Sequence, residues 1–517
     1  MKTAAGVVAA GHPVTANAAT EILRAGGNAF DAALAALFAS CVAEPVLASL
    51  GGGGFLNARP AATKPLLYDF FAQTPHLKPD ESDIDLYPIL ADFGTAQQEF
   101  HIGMGSIATP GVIKGAFAIH RDLCRMPMRE IIQPACEAAR QGVRVNGFQH
   151  YISEVVSPII LSSPEALQLH ASRERPGTIA APNEVLCNPA MADGFEILAL
   201  EGEALFYHGE LGQQLVEECH ARGGCLTRKD LEAYQVERRT PLVLNYHDAQ
   251  LFTNPPPSIG GLLIAFTLAL LEPEKLGNHP INSAHHLGRI GQAMELTQQL
   301  RNQVDNGGNA TPPDHILSGE LIERYRTIMG NHRSFSRGTT QISVADRSGN
   351  LASMTLSNGE GSGYVLPECG IMLNNMLGEE DINPYGFNQW PLNRRIASMM
   401  SPTLVIRADG DAIAVGSGGS NRIRSAILQV LVNIIDFDME IEQAVEQPRI
   451  HFESGLLNVE TGPAEDTIQT LQQTFDQVRC WPDKNLFFGG AHTVMRKQNG
   501  TLSGSGDSRR GGVCYQA

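Results

Sequence analysis

From Gly338 onward the chain reads as two antiparallel hairpins and then an amphipathic helix, a succession that suggests stacked sheets beneath helical outer layers. Thr340 to Ala345 alternates, with Ile342 and Val344 on one side. Asp346-Arg347-Ser348-Gly349-Asn350 is a turn, and Leu351 to Leu356 returns. A second hairpin runs Thr403 to Ala408, turns at Asp409-Gly410 and comes back through Ile413 to Val415. Gly416-Ser417-Gly418-Gly419-Ser420 then opens a helix whose apolar positions Ile423, Ala426, Ile427, Val430, Leu431, Ile434 and Ile435 share one face. The expected fold class is α/β, built in layers.

The first third is helical in pattern. Thr15 to Ala25 reads as a helix stopped by Gly26-Gly27, and Asn28 is placed to cap a second one that ends before Pro45. Gly51 to Gly54 is either a flexible joint or a place where backbone approaches something closely. Pro134 to Arg140 and Leu211 to Arg222 look helical, and Asn254 to Gly261 is a rigid loop feeding an apolar helix, Leu262 to Leu271. Asn302 to Asp314 reads as an exposed loop and a boundary region.

Composition removes several classes of function. A formal charge of −17 without any lysine/arginine run argues against nucleic acid. The longest apolar runs are too short to span a membrane. Nine scattered cysteines, odd in number and without a C-x-x-C pair, fit reduced thiols better than a disulfide framework. With no visible leader at Met1, the expected location is cytoplasmic. No nucleophile elbow, phosphate-binding loop or zinc helix is present, so neither a metal nor a cofactor is expected. Gly416 to Ser420 could hold developing negative charge on free N–H groups, or be a plain strand-to-helix turn. Ser336-Arg337-Gly338-Thr339-Thr340 by itself is only a polar loop entering a strand.

Taken in order, several segments resemble the γ-glutamyltransferase family. They are Gly51–Gly54 with Phe55, Pro255–Gly261, Thr339–Val344, Gly370–Asn375, Met400-Ser401-Pro402-Thr403 and Gly416–Ser420. The resemblance spans nearly the whole chain. It implies a four-layer αββα sandwich of the N-terminal-nucleophile hydrolase type, made as a precursor that cuts itself before a threonine. Here that bond joins Gly338 to Thr339, giving portions 1–338 and 339–517 that stay together as a heterodimer. Glycine before the cut leaves room for attack, and an α-amine titrating near ~7.7–8.0 suits Thr339 as its own base. The resemblance makes Gly418, Gly419 and Ser420 oxyanion candidates and Ser357 a hydroxyl on the nucleophile. Asn358 or Gly359 falls near the substrate amine, and Glu379 where an aspartate binds the substrate ammonium.

The departures concern the acyl group. Phe71 stands where the family has an arginine for the substrate carboxylate, and a ring cannot replace a guanidinium fork. Paired serines become Ser398 and Met399, and a glutamine becomes Met376. Arg394, Arg395 or Lys78 are candidate replacement cations. The leading expectation is an autoprocessing amidohydrolase or acyltransferase acting on γ-glutamyl amides such as glutathione, with water or an amine as acceptor. A same-fold acylase for a non-glutamyl amide and a non-catalytic binding relative are the alternatives.

Overall fold

Two antiparallel sheets face one another between layers of helix. The computed structural model describes residues 4–92, 97–306, 316–318, 321–322, 338–379, 382–383 and 386–517. The first sheet has seven strands in the order Val513–Gln516, Gly6–Ala10, Thr340–Asp346, Leu351–Ser357, Gly53–Arg59, Leu66–Phe70 and Glu237–Arg239. The second has six, in the order Leu502–Ser505, Gly490–Arg496, Ala412–Gly418, Thr403–Arg407, Ala249–Thr253 and Leu242–Tyr246. Helices Pro13–Arg24 and Ala29–Ala43 cover the first sheet. Gly260–Leu271 and Arg422–Ile435 cover the second, with Ala284–Asn306 packed on Gly260–Leu271. This is the αββα order that the family resemblance implies, with the stacked sheets and helical outer layers suggested by the hairpins and helix.

Local chemistry sets the helix ends. His12 Nδ1 accepts the Val14 N–H, and Pro13 takes the first helical position, where its missing N–H costs nothing. Asn28 and Asp31 form a reciprocal capping box, and Gly26 turns the chain at φ +99°. The Gly51–Gly54 run is a close-approach segment: a Cβ on Gly52 would lie 2.4 Å from the Ser357 carbonyl oxygen. The polar segment read as a loop from Asn302 instead continues the helix Ala284–Asn306, and residues 307–314 lie outside the described ones. Gly416 and Gly418 likewise belong to the strand Ala412–Gly418, because they pair with His492 and Gly490.

The central strands are buried on both faces, and the two faces differ in character. Ile342 and Val344 point into the apolar layer beneath the helices, as their alternation requires. Their neighbours Gln341 and Ser343 point between the sheets and are fully paired there. Gln341 Nε2 donates to Ser343 Oγ and Ser353 Oγ, both at 3.0 Å, and Thr355 donates to Gln341 Oε1. Ser343 reaches the His492 carbonyl and Ser353 the Val415 carbonyl, each at 2.9 Å, so side chains of one sheet bond the backbone of the other. Each such bond contributes about 1 kcal/mol net, and an unpaired group here would cost more than that. All nine cysteines are free thiols. Among the described residues no helix is long and apolar enough to cross a membrane.

Candidate active site

Thr339 immediately precedes the strand Thr340–Asp346 near the centre of the first sheet, and it is 5% exposed. Its hydroxyl donates to the carbonyl of Gly338 at 2.7 Å. Ser357, at the end of the neighbouring strand, donates to the same carbonyl at 3.0 Å and accepts the Gly359 N–H at 3.0 Å. The Gly338 N–H in turn donates to Glu360 Oε1 at 2.9 Å. Gly338, the residue ahead of the Gly338–Thr339 peptide bond, is therefore gripped at both its N–H and its carbonyl. Two hydroxyls polarise its carbonyl, and the Thr339 hydroxyl rests against the group it would have to attack.

Beside this peptide runs a cleft lined by Phe71, Met376, Ile382, Met399, Met400 and Ile423, with Ser357, Glu379, Ser398 and Ser420 as its polar groups. Phe71 stacks on Phe55 with ring centroids 5.4 Å apart, which fixes it as a wall. Ser398 Oγ accepts the Met400 N–H at 3.0 Å. Glu379 is 3% exposed, and its carboxylate lies against Gly359, where a Cβ would come within 2.1 Å of Oε1. Asn358 is brought near but not in: its amide turns to the Leu373 carbonyl at 3.4 Å, away from the cleft lining.

The three candidate cations are elsewhere. Arg395 binds the Phe71 and Gln235 carbonyls, faces Asp69 at 3.4 Å and lies over the Tyr234 ring. Lys78 donates to the Asn388 carbonyl and lies over Trp390. Arg394 is exposed, and none of the three lines the cleft. Among the described residues the cleft carries one carboxylate and no cation.

Gly418 closes the opposite side. A Cβ there would lie 2.1 Å from the Thr339 carbonyl oxygen, so only glycine lets the two strands meet. Gly419 and Ser420 follow with φ +118° and +53°, and the helix Arg422–Ile435 starts after them. Gly418→Ala is expected to push Thr339 off Ser357, destabilise the fold by about 1–3 kcal/mol and lower the fraction of chain cut at Thr339, read on a denaturing gel.

Behind that turn is a buried ionic cluster. Asn421 bridges Arg301 (2.9 Å) and Glu453 (2.7 Å). Burial lowers His451 to about 4, so its ring is neutral: Nε2–H donates to Glu453 at 2.8 Å, and Nδ1 accepts from Ser425 at 2.7 Å. This serine–histidine–glutamate chain is fully buried and away from the cleft, so it orders the helix start and meets no substrate. Asp507 takes Arg449 at 2.6 Å, Arg509 at 3.2 Å and the Ala491 N–H at 2.8 Å. On the first sheet's other face, Thr340 and Thr15 both donate to Glu44, whose carboxyl burial pushes up.

Sequence reasoning missed Glu44 and the cluster around Asp507, which make their contacts across long sequence separations, and Glu360, which stands three residues after Ser357 but shows its role only when the Gly338 N–H folds against it. Among the described residues no group of three metal-ligating side chains occurs.

Known proteins resemble this chain over almost its full length. Acylase ACY 1 proenzyme of Pseudomonas sp. (strain V22) is 28% identical, covering 98% of this chain and 93% of that protein. Glutathione hydrolase proenzyme of Escherichia coli (strain K12) is also 28% identical, covering 98% and 90%. In fold, the crystal structure of cephalosporin acylase from Bacillus halodurans superposes with a TM-score of 0.85 at 23% identity, covering 99% of this chain and 96% of that one. Helicobacter pylori gamma-glutamyltranspeptidase gives 0.55 at 21% identity, over 62% of this chain and 90% of that one. A family model described as Gamma-glutamyltranspeptidase matches residues 15–517, and the chain belongs to that family of hydrolases and acyltransferases.

Proposed function

We propose that the protein is an autoprocessing threonine amide acylase. The supporting observation is the Gly338 carbonyl held jointly by the hydroxyls of Thr339 and Ser357. Attack of Thr339 Oγ on that carbonyl forms a new C–O bond as the C–N bond breaks, and the amine of Thr339 takes the proton. Water then hydrolyses the ester and releases residues 1–338 from 339–517. In the mature site the freed amine accepts the Thr339 hydroxyl proton, and Oγ attacks a substrate amide to give an acyl-threonine. Gly418, Gly419 and Ser420, ahead of a 14-residue helix, face the developing oxyanion with backbone N–H groups and the positive end of the helix dipole. Water or an amine resolves the ester.

The acyl pocket favours an apolar chain. Phe71, Met376 and Met399 supply its walls, and Glu379 accepts an ammonium but repels a carboxylate. A γ-glutamyl group brings a carboxylate that meets no cation among the described cleft residues, so γ-glutamyl amides are the second reading, favoured within the cleft by Glu379. Anilides with neutral, ammonium-bearing, glutaryl and γ-glutamyl acyl groups separate the two. Neutral or ammonium-bearing acyl groups are expected to turn over at least ~100-fold better in kcat/KM than carboxylate-bearing ones. Equal or faster γ-glutamyl hydrolysis overturns the acylase reading and leaves the nucleophile standing. A protein that remains one uncut chain and turns over no anilide overturns both.

A further inference from the structure

Arg510 is 4% exposed, yet its Nε and Nη1 reach no hydrogen-bond partner among the described residues. Nη2 has one long bond, to the Leu486 carbonyl at 3.4 Å. The side chain is wedged among glycines: a Cβ on Gly490 would lie 2.5 Å from its Cδ, and one on Gly419 3.0 Å from Nη2. A Cβ on Gly418 would stand 3.3 Å from Arg510 Nη1 and 2.1 Å from the Thr339 carbonyl oxygen. The guanidinium and the Thr339 main chain therefore flank one glycine.

A buried guanidinium without a carboxylate is costly unless something else uses its charge. The neighbouring carboxylates are engaged: Asp507 by Arg449 and Arg509, Glu460 by Arg509, and Glu453 by His451 and Asn421. Burial, reinforced by Arg422 nearby, lowers Arg510 to about 10, which leaves it fully charged at neutral pH.

We propose that Arg510 is an electrostatic positioning residue for Thr339, a resident cation that favours the unprotonated form of the freed threonine amine and the negative charge developing beside Gly418. The inference rests on the reading of Thr339 as nucleophile and base. Facing Thr339 from other elements are Glu379 in the cleft, Glu360 on the Gly338 N–H, and Glu44 through the Thr340 hydroxyl. These carboxylates act in the opposite sense, and Glu44 acts least because burial raises it. Around Arg510 itself, Arg422 adds to its field and Asp507 subtracts from it.

The test is the pH profile of kcat/KM for hydrolysis of the best p-nitroanilide by the processed parent, Arg510→Gln and Arg510→Lys, with both fragments verified by mass. In Arg510→Gln the acid limb is expected to move up by about one pH unit, because a like charge near the amine is gone. The plateau falls about tenfold. Arg510→Lys keeps the limb near the parent position, which a merely structural role would not require. A processed Arg510→Gln with an unmoved limb overturns the proposal. Where Arg510→Gln does not fold or process, the parent decides: a limb midpoint below the ordinary α-amine range of ~7.7–8.0 supports the proposal, and one at or above it refutes it. An uncut, inactive parent is a different result, since it removes Thr339 from its role.

Discussion

Thr339→Ala is expected to remain a single chain of 55.7 kDa with amide turnover reduced at least ~10⁴-fold, because one substitution removes both the processing hydroxyl and the nucleophile. The structural reason for a clean result is the crowding around this side chain. Its hydroxyl, the Ser357 hydroxyl and the Gly338 carbonyl form one small hydrogen-bonded group, with Gly418 against the other side of the residue. Alanine fits the same space without disturbing the strand, so the variant should fold with the parent's unfolding midpoint. Thr339→Ser, which keeps the hydroxyl, should still cut and still turn over. Intact mass, N-terminal sequencing and anilide hydrolysis on the three proteins read the outcome. A fragment beginning at residue 339 in the alanine variant would refute the assignment of the nucleophile.

Asp507→Asn is expected to cost about 3–5 kcal/mol of stability, seen as a lower urea midpoint. The carboxylate has no exposure, and it holds Arg449 and Arg509 together while accepting the N–H groups of Ala491 and Arg509. Removing its charge leaves two buried guanidinium groups close to each other, with Glu460 still bound to Arg509. Burial alone would raise this carboxyl, but Arg449 and then Arg509 outweigh it and hold Asp507 at about 2. A depressed folded value contributes stability that is complete above the unfolded value of ~3.9 and is lost as pH falls through the folded one. The difference between parent and variant should therefore be constant from neutral pH down to about 5 and should narrow, by about 2.6 kcal/mol, as pH falls from about 4 to below 2. A difference that persists unchanged at pH 2 would assign the effect to shape and not to charge.

How much of this was legible in the sequence depended on the range of the interactions involved. Helix caps at Asn28, the two hairpins and the helix after Ser420 are local devices, and the structure has all of them. Polar composition misled at Asn302, because a long helix with a solvated face can be polar through its last turn. Gly51–Gly54 could not be decided from sequence, since the glycines make room for strands brought alongside by the fold, among them the Met372 carbonyl against Gly51 and the Ser357 carbonyl against Gly52, about three hundred residues away. Phe71, Met376, Glu379, Ser398 and Met399 were located by resemblance and do share the cleft, with Ile382, Met400 and Ile423 added by the fold. Arg395 was offered as a stand-in cation, and the structure commits it to Asp69, Tyr234 and two carbonyls. Arginine has many uses in a folded protein, and only its neighbours decide which one applies.

The placement of Thr340–Asp346 between Gly6–Ala10 and Leu351–Ser357 sets an order of events. The Gly338 carbonyl meets its two hydroxyls only after the strand ending at Ser357 has paired with the strand after Thr339, and Gly418 arrives only with the second sheet. An unfolded or half-folded chain thus has no means of activating itself. On the proposed reading, a cut at Gly338 would work as a birth certificate, issued to molecules whose assembly is already finished. Nor would dilution undo it: both sheets are built from strands on either side of the Gly338–Thr339 bond, so the halves could not part without breaking up the sheets.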